Sequence, residues 1–520
     1  MKEKTRTAYS ILNILTGIGG YLVNTILGFV CRIAFVQCLS AEYLGVNGLF
    51  TNILTVLSLA ELGFGSAVIY ALYKPLAEHD EKKIAALVRL YGKVYSIIGC
   101  SVAVIGVAIL PLLPVIIGDT TGIVESIYVL YLINLFNTAS TYFFSYKSTL
   151  IIAAQQNYVV SGINYIITIL QSIIQIGFLY LFRNYLGYLI IQSIGIFVYN
   201  VIISKVAEKK FPYIKDKSTP ELDKEEKKSL FKNVRDLFIY KVSGLLVNST
   251  DNILITFFKG LATTGIASNY TLLINTLNTL LTQIFSSLTA SIGNHNALNT
   301  PDGQYKMFKF MNLMNFWFFG WGTMGIIFCS SDLVNIFFGK DYVLDISIPL
   351  VLALNFYTVG MQNAVWTYKH TLGLFKYGRF IQFFTGIVNI VFSILLGYSL
   401  GVFGIFLATF ISRLFTNLWY DPYAVFKYGF KMSLLKYIKQ YMMYLTVILL
   451  DIILCGILFY FIRINTIFDS IFHIVIVSII FNCSFVVFFH RFGEFQKFKE
   501  ILSNSKTLII NKIPFRNRKG

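Results

Sequence analysis

Apolar runs of about 20 residues recur along this 520-residue chain, from "ILNILTGIGGYLVNTILGFV" (11–30) to "IFDSIFHIVIVSIIFNCSFVVFF" (467–489). At 1.5 Å per residue each run is long enough to cross a hydrocarbon core of about 30 Å. A chain built this way has to satisfy its backbone hydrogen bonds inside helices, because lipid offers no partners. The sequence therefore predicts an all-α polytopic membrane protein. Applying the length rule gives about fourteen spans. They start near Ile11, Leu44, Val94, Val124, Val159, Leu186, Leu237, Gly265, Phe308, Ile346, Phe380, Val402, Tyr441 and Ile467.

Composition agrees: 56% of the residues are hydrophobic and 13% charged, against about 25% charged in soluble domains. The net charge of +18 does not indicate nucleic acid, because the cations lie in short segments between the apolar runs. They also share a side. The N-terminal Lys2, Lys4 and Arg6, the loop cations Lys74, Lys82, Lys83 and Arg89, the central segment and the tail beyond Arg491 all fall on one face. Opposite them are isolated cations such as Arg183, Lys259, Lys340 and Arg463. By the positive-inside rule both termini are expected in the cytoplasm, which suits an even number of spans. "MKEKTRTAYS" is basic enough for a signal peptide, but no cleavage site follows, and the first helix is expected to remain.

The basic stretch "KVAEKKFPYIKDKSTPELDKEEKKSLFKN" (205–233) divides the chain. We expect an N-terminal six-helix bundle (1–204), a cytoplasmic linker (205–235), a second six-helix bundle (236–425), two further helices (426–490) and a basic cytoplasmic tail (491–520). A shift of 220 residues aligns Gly45 with Gly265, Phe50 with Tyr270 and Thr51 with Thr271, as a parallel-repeat transporter would show. The glycines of "TGIGG" (16–20) and "GFGS" (63–66) read as close packing between helices.

Charges inside the spans need an explanation, because an ionised group in hydrocarbon is costly and commonly faces the bundle interior or water. Glu61 lies below the midplane of the second span, either on a lumen wall or hydrogen-bonded to a neighbouring helix. Arg32 in the first span and Asp251 in the seventh share a depth, and in the repeat alignment Arg32 faces Asn252. Arg32 and Asp251 are therefore a candidate outer gate pair. Lys147, Lys241, Lys369 and Arg413 fall in the inner halves of their spans. They are either snorkelling cations or together a positive lining for a cavity that attracts a phosphate-bearing lipid. No role is assigned to Asp451, and His295 in "GNHN" reads as a polar loop residue.

The sequence holds no metalloprotease, nucleophile-elbow or nucleotide-binding motif, so no catalytic residue, metal or cofactor is expected. The six cysteines (31, 38, 100, 329, 455 and 483) are scattered and read as packing residues, and "NST" (248–250) and "NCS" (482–484) fall in spans, where they cannot be glycosylated.

Two blocks then carry a resemblance. "EYLGVNGLFTNILTVLSLAELGFGSAVIYALYKPLAEHDEKKIAALVRLYGKVY" (42–95) resembles the opening of bacterial oligosaccharide flippases, the polysaccharide transporters of the multidrug/oligosaccharidyl-lipid/polysaccharide exporter superfamily. "STDNILITFFKGLATTGIASNYTLLINTLNTLLTQIFSSLTASIGN" (249–294) resembles the start of their second half. The likeness covers roughly residues 1–430. It implies two six-helix bundles in a V, with helices 1, 2, 7 and 8 at the portals. It also implies an undecaprenyl-diphosphate-linked oligosaccharide as substrate, flipped across the bacterial inner membrane for O-antigen, capsule or exopolysaccharide synthesis. Arg32 is then the counterpart of a cavity cation, and polysaccharide polymerase and glycosyltransferases are the implied partners. The rival readings are a drug-efflux antiporter of the same fold, a membrane-embedded polymerase or ligase, and an assembly scaffold. The short outer connection 330–345 argues against the enzyme.

Overall fold

In the computed structural model, residues 6–58, 64–118, 122–216, 250–374, 377–378, 380–461 and 467–500 are described, with isolated positions between 222 and 234. The described residues form helices and connecting turns, with no strand among them. In the first part of the chain these are α1 (Arg6–Cys38), α2 (Ala41–Leu57), α3 (Phe64–Glu78), α4 (Glu81–Ile109), the short α5 (Leu113–Ile117), α6 (Ile127–Ala153), α7 (Asn157–Phe182) and α8 (Tyr185–Lys210). After the linker come α9 (Asp251–Leu298), α10 (Pro301–Phe338), α11 (Ser347–Thr371), α12 (Ile381–Phe415), α13 (Asn417–Ala424), α14 (Leu435–Phe461) and α15 (Ile467–Phe489).

The boundaries have local causes. Asp80 caps α4 by accepting from the Lys83 amide at 3.0 Å, and Asn184 caps α8 by accepting from the Gly187 amide at 2.7 Å. Thr300 caps α10 with Pro301 following it, where the missing N–H costs nothing. Inside α9 and α12 the chain reverses at Gly260 (φ 82°) and Gly401 (φ 61°), conformations that a side chain would resist. Each apparent long helix is thus two spans, and the breaks fall between the expected spans 7 and 8 and spans 11 and 12.

Ten described helical stretches are long and apolar enough to cross a membrane. The difference from about fourteen is accounted for span by span. The second span is described only as the shorter helices α2 and α3, with 59–63 outside the described residues, the seventh begins outside the described residues, the eighth is too rich in Thr and Asn, and the stretch 381–430 contains two spans. One expectation fails locally: His295 is not in a loop but on α9, which runs on to Leu298 until the Thr300–Pro301 cap stops it.

The chain forms two compact units, residues 1–268 with 386–405, and residues 269–385 with 406–520. In the first, α1 packs on α7, and α6 packs between α4 and α8. Gly20 of the "TGIGG" segment lies against the Tyr165 ring, while Gly17 and Gly19 face open space, so one of these glycines serves close packing. In the second unit α10 packs against α11 and α15. Its interior is an aromatic column that includes Phe316 stacked on Tyr444 at 4.5 Å and Phe308 edge-on to Tyr368 at 5.2 Å. Such contacts matter in a bilayer, where helices associate through packing and hydrogen bonds rather than escape from water.

Asp451, for which the sequence offers no role, is buried on α14 and accepts a 2.6 Å hydrogen bond from Ser484 Oγ on α15. It ties the last two helices together.

Candidate functional site

The first unit contains a crossing built by α1, α2 and the two arms of α9 on either side of Gly260. The approach is backbone on backbone. A Cβ on Gly45 would collide with the Leu261 carbonyl, and a Cβ on Gly265 would collide with the Ala41 carbonyl. One turn further along α2, a Cβ on Gly48 would stand 3.3 Å from the Asn252 amide nitrogen. Small residues on α2 therefore let both arms of α9 reach it.

Arg32 reaches the same crossing from α1. Its guanidinium donates to Ser268 Oγ, one turn beyond Gly265. Around the end of α1 lies an aromatic collar. Phe35 packs edge-on against Tyr185 at 5.6 Å and Tyr188 at 5.3 Å, and Tyr43 leans on Tyr185 at 5.0 Å. Tyr43 Oη donates to Glu125 at 2.5 Å and accepts from the Val124 amide at 3.2 Å. Glu125 precedes α6 and also accepts from Asn184. Thr256 and Thr264, on opposite arms of α9, are joined by a buried 2.9 Å hydroxyl contact. The result is a half-buried cation held among hydroxyls and phenols, which can bind an anionic group or fasten the crossing.

The predicted site residues divide as follows. Arg32 and Asn252 both lie at this crossing, and Asp251 opens the α9 arm that carries Asn252. Glu61 and Lys241 lie outside the described residues. Lys147 is elsewhere in the first unit, where it donates to Glu208 at 2.5 Å and Ser204 at 2.8 Å. Lys369 and Arg413 belong to the second unit. Lys369 pairs with Asp421 at 2.6 Å, and the carboxylate, 1% exposed, accepts a second bond from Trp366 Nε1 at 3.0 Å. Arg413 is buried near the end of α12.

Two of the four inner cations thus spend their charge on a carboxylate, which weakens the positive lining read from the sequence. Lys369 is neutralised by a residue that the sequence analysis passed over. Asp421 sits in the aromatic run "NLWYDPY" (417–423), and the signal was available: a carboxylate in a span needs a partner, and Lys369 is a cation at similar depth.

Among solved structures, this fold is similar to that of the lipid II flippase MurJ in an inward closed conformation, with a TM-score of 0.68 at 15% identity, over 92% of this chain and 99% of that one. It is also similar to an inward-facing multidrug resistance MATE family transporter of the MOP superfamily, with a TM-score of 0.50 at 14% identity, over 77% and 94% of the two chains. A third likeness is to a MOP superfamily transporter from Pyrococcus furiosus, with a TM-score of 0.50 at 12% identity, over 83% and 100%. No family model and no curated protein matches the sequence. The fold is therefore similar to that of these transporters, and the chain is a multi-pass membrane protein.

Proposed function

We propose that this protein flips an undecaprenyl-diphosphate-linked oligosaccharide across the bacterial cytoplasmic membrane, with both termini in the cytoplasm. The reading rests chiefly on the likeness to a flippase for a lipid-linked substrate, which extends over 92% of the chain. Arg32 at the α1–α2–α9 crossing supplies a cation suited to a diphosphate. In this reading the crossing is the outer closure, Arg32 and Asp251 belong to its gate, and the two repeat halves exchange access to the two leaflets. Lipid-linked repeat units for O-antigen, capsule or exopolysaccharide are the proposed cargo. Polymerase and glycosyltransferases would meet the protein at its basic linker and tail. No ATP-binding motif is present in the sequence, so an ion gradient, the membrane potential or product removal drives the movement.

Efflux of a small molecule is the second reading, favoured by the likeness to a multidrug transporter at a TM-score of 0.50. One reconstitution separates the two. Liposomes containing a labelled polyprenyl-diphosphate oligosaccharide are prepared with and without the purified protein, and the pool reached by an impermeant lectin is measured. Protein-dependent exposure of the protected pool is expected. No exposure, together with gradient-driven movement of a cationic dye, overturns the flippase reading in favour of efflux.

A further inference from the structure

The basic end of the first unit holds a cavity of about 800 Å³, away from the crossing, where α4, α6 and α8 meet the short turn Pro212–Lys215. Its wall carries four cations, Arg89, Lys93, Lys147 and Lys215, against two carboxylates, Glu208 and Asp216. Glu208 takes both Lys147 at 2.5 Å and Lys215 at 2.9 Å. Arg89 donates to the Asp216 backbone carbonyl at 2.5 Å, which ties the segment after α8 to α4. The lining keeps an excess of two positive charges.

The cavity is not a purely polar site. From Ser96 and Ile97, on its edge, a shallow, open groove of about 490 Å³ continues along the face of α4 past Cys100, Val104 and Ile105. Ile97, Val104 and Ile105 are 66%, 70% and 50% exposed, in the apolar part of a spanning helix. From Arg89 to Ile105 is about 24 Å of helix, close to the depth of one leaflet with its headgroup layer. Cations at headgroup depth, followed by an exposed apolar trough, match one kind of molecule.

We propose that this cavity and groove bind an anionic phospholipid, with its phosphate among Arg89, Lys93 and Lys215 and an acyl chain along Ile97–Ile105. A free phosphate shares the headgroup chemistry but has no use for the trough. A zwitterionic lipid fits the trough but gains less from the surplus charge. Because the Pro212–Lys215 turn forms one wall, the bound lipid also holds the beginning of the linker at the membrane surface.

The test uses the full chain in nanodiscs of phosphatidylcholine with phosphatidylglycerol, and reads co-purifying lipid by native mass spectrometry. Preferential retention of phosphatidylglycerol, about tenfold over phosphatidylcholine and equivalent to about 1.4 kcal/mol, is expected. The preference falls in Lys93→Gln/Lys215→Gln, which leaves Arg89 and its hold on the turn intact, and also in Val104→Trp, which blocks the groove. Added inorganic phosphate does not displace the lipid. Equal retention of the two lipids overturns the proposal. So does displacement by phosphate with Val104→Trp without effect, which assigns the cavity to a soluble phosphorylated ligand. No oligosaccharide enters the measurement, so its failure is separate from failure of the flippase reading.

Discussion

Gly45 and Gly265 face each other across the α2–α9 crossing, so close that a Cβ on Gly265 would lie 3.0 Å from the Gly45 amide nitrogen. These are the residues that the 220-residue shift superimposes, so a weak internal repeat in the sequence coincides with a physical contact. A side chain at either position meets backbone rather than a movable side chain, and backbone cannot step aside without separating the helices.

Substitution at this contact should therefore loosen the crossing. Gly45→Ala is expected to cost about 1–3 kcal/mol through overpacking, and Gly45→Leu to part α2 from α9. A reporter cysteine at Ser268, in a background without the six native cysteines, then labels faster with an impermeant thiol reagent. Unchanged labelling in Gly45→Leu would mean that the contact does not hold the crossing closed.

Arg32 separates charge from hydrogen bonding. Arg32→Gln keeps a donor toward Ser268 but removes the cation. If Arg32 receives a diphosphate, the variant loses about tenfold or more in flipping rate, corresponding to about 1.4 kcal/mol. Arg32→Lys recovers part of that rate, and thermal stability changes little in either. A fall in melting temperature matching the fall in rate would make Arg32 a fastener of the crossing instead.

The Lys369–Asp421 pair calls for a double-mutant cycle. Removing one partner leaves a buried charge uncompensated, at a cost of about 3–5 kcal/mol, and Asp421 is 1% exposed on the side-chain scale. Asp421→Leu alone should lower the unfolding temperature in detergent sharply. Lys369→Met with Asp421→Leu should restore most of it. Additive losses in the double variant would show that the two side chains act independently.

Asp451 should behave as a local clip. Asp451→Asn and Ser484→Ala each weaken one interhelical bond, worth about 0.6 kcal/mol in membrane proteins and at most about 1.7. A small drop in stability with transport in the liposome assay intact is the expected result. Loss of transport in a stable Asp451→Asn protein would assign α14 and α15 a part in it.

Span positions were legible because hydropathy encodes depth directly. The start expected near Phe308 lies within a helix that begins at Pro301, and the start expected near Ile346 is one residue from Ser347. Even the reversals at Gly260 and Gly401 fall at expected boundaries. Partner choice was not legible. Lys147 lies 61 residues from Glu208, and Lys369 lies 52 from Asp421. Such pairs depend on how each helix is rotated, and runs that are apolar all round carry little information about rotation.

The two glycine reversals bear on how the chain is made. Gly401 and the turn at Gly260 are neighbours, since a Cβ on Gly401 would stand 2.5 Å from the Lys259 side chain, one residue before Gly260. A turn of this kind joins its two spans without a hydrophilic loop, so almost nothing polar has to be threaded through the bilayer during synthesis. Spans 11 and 12 can then enter the lipid together as a preformed hairpin. The sharpness of that bend, more than any signal in the following helix, fixes the point at which the growing chain turns back.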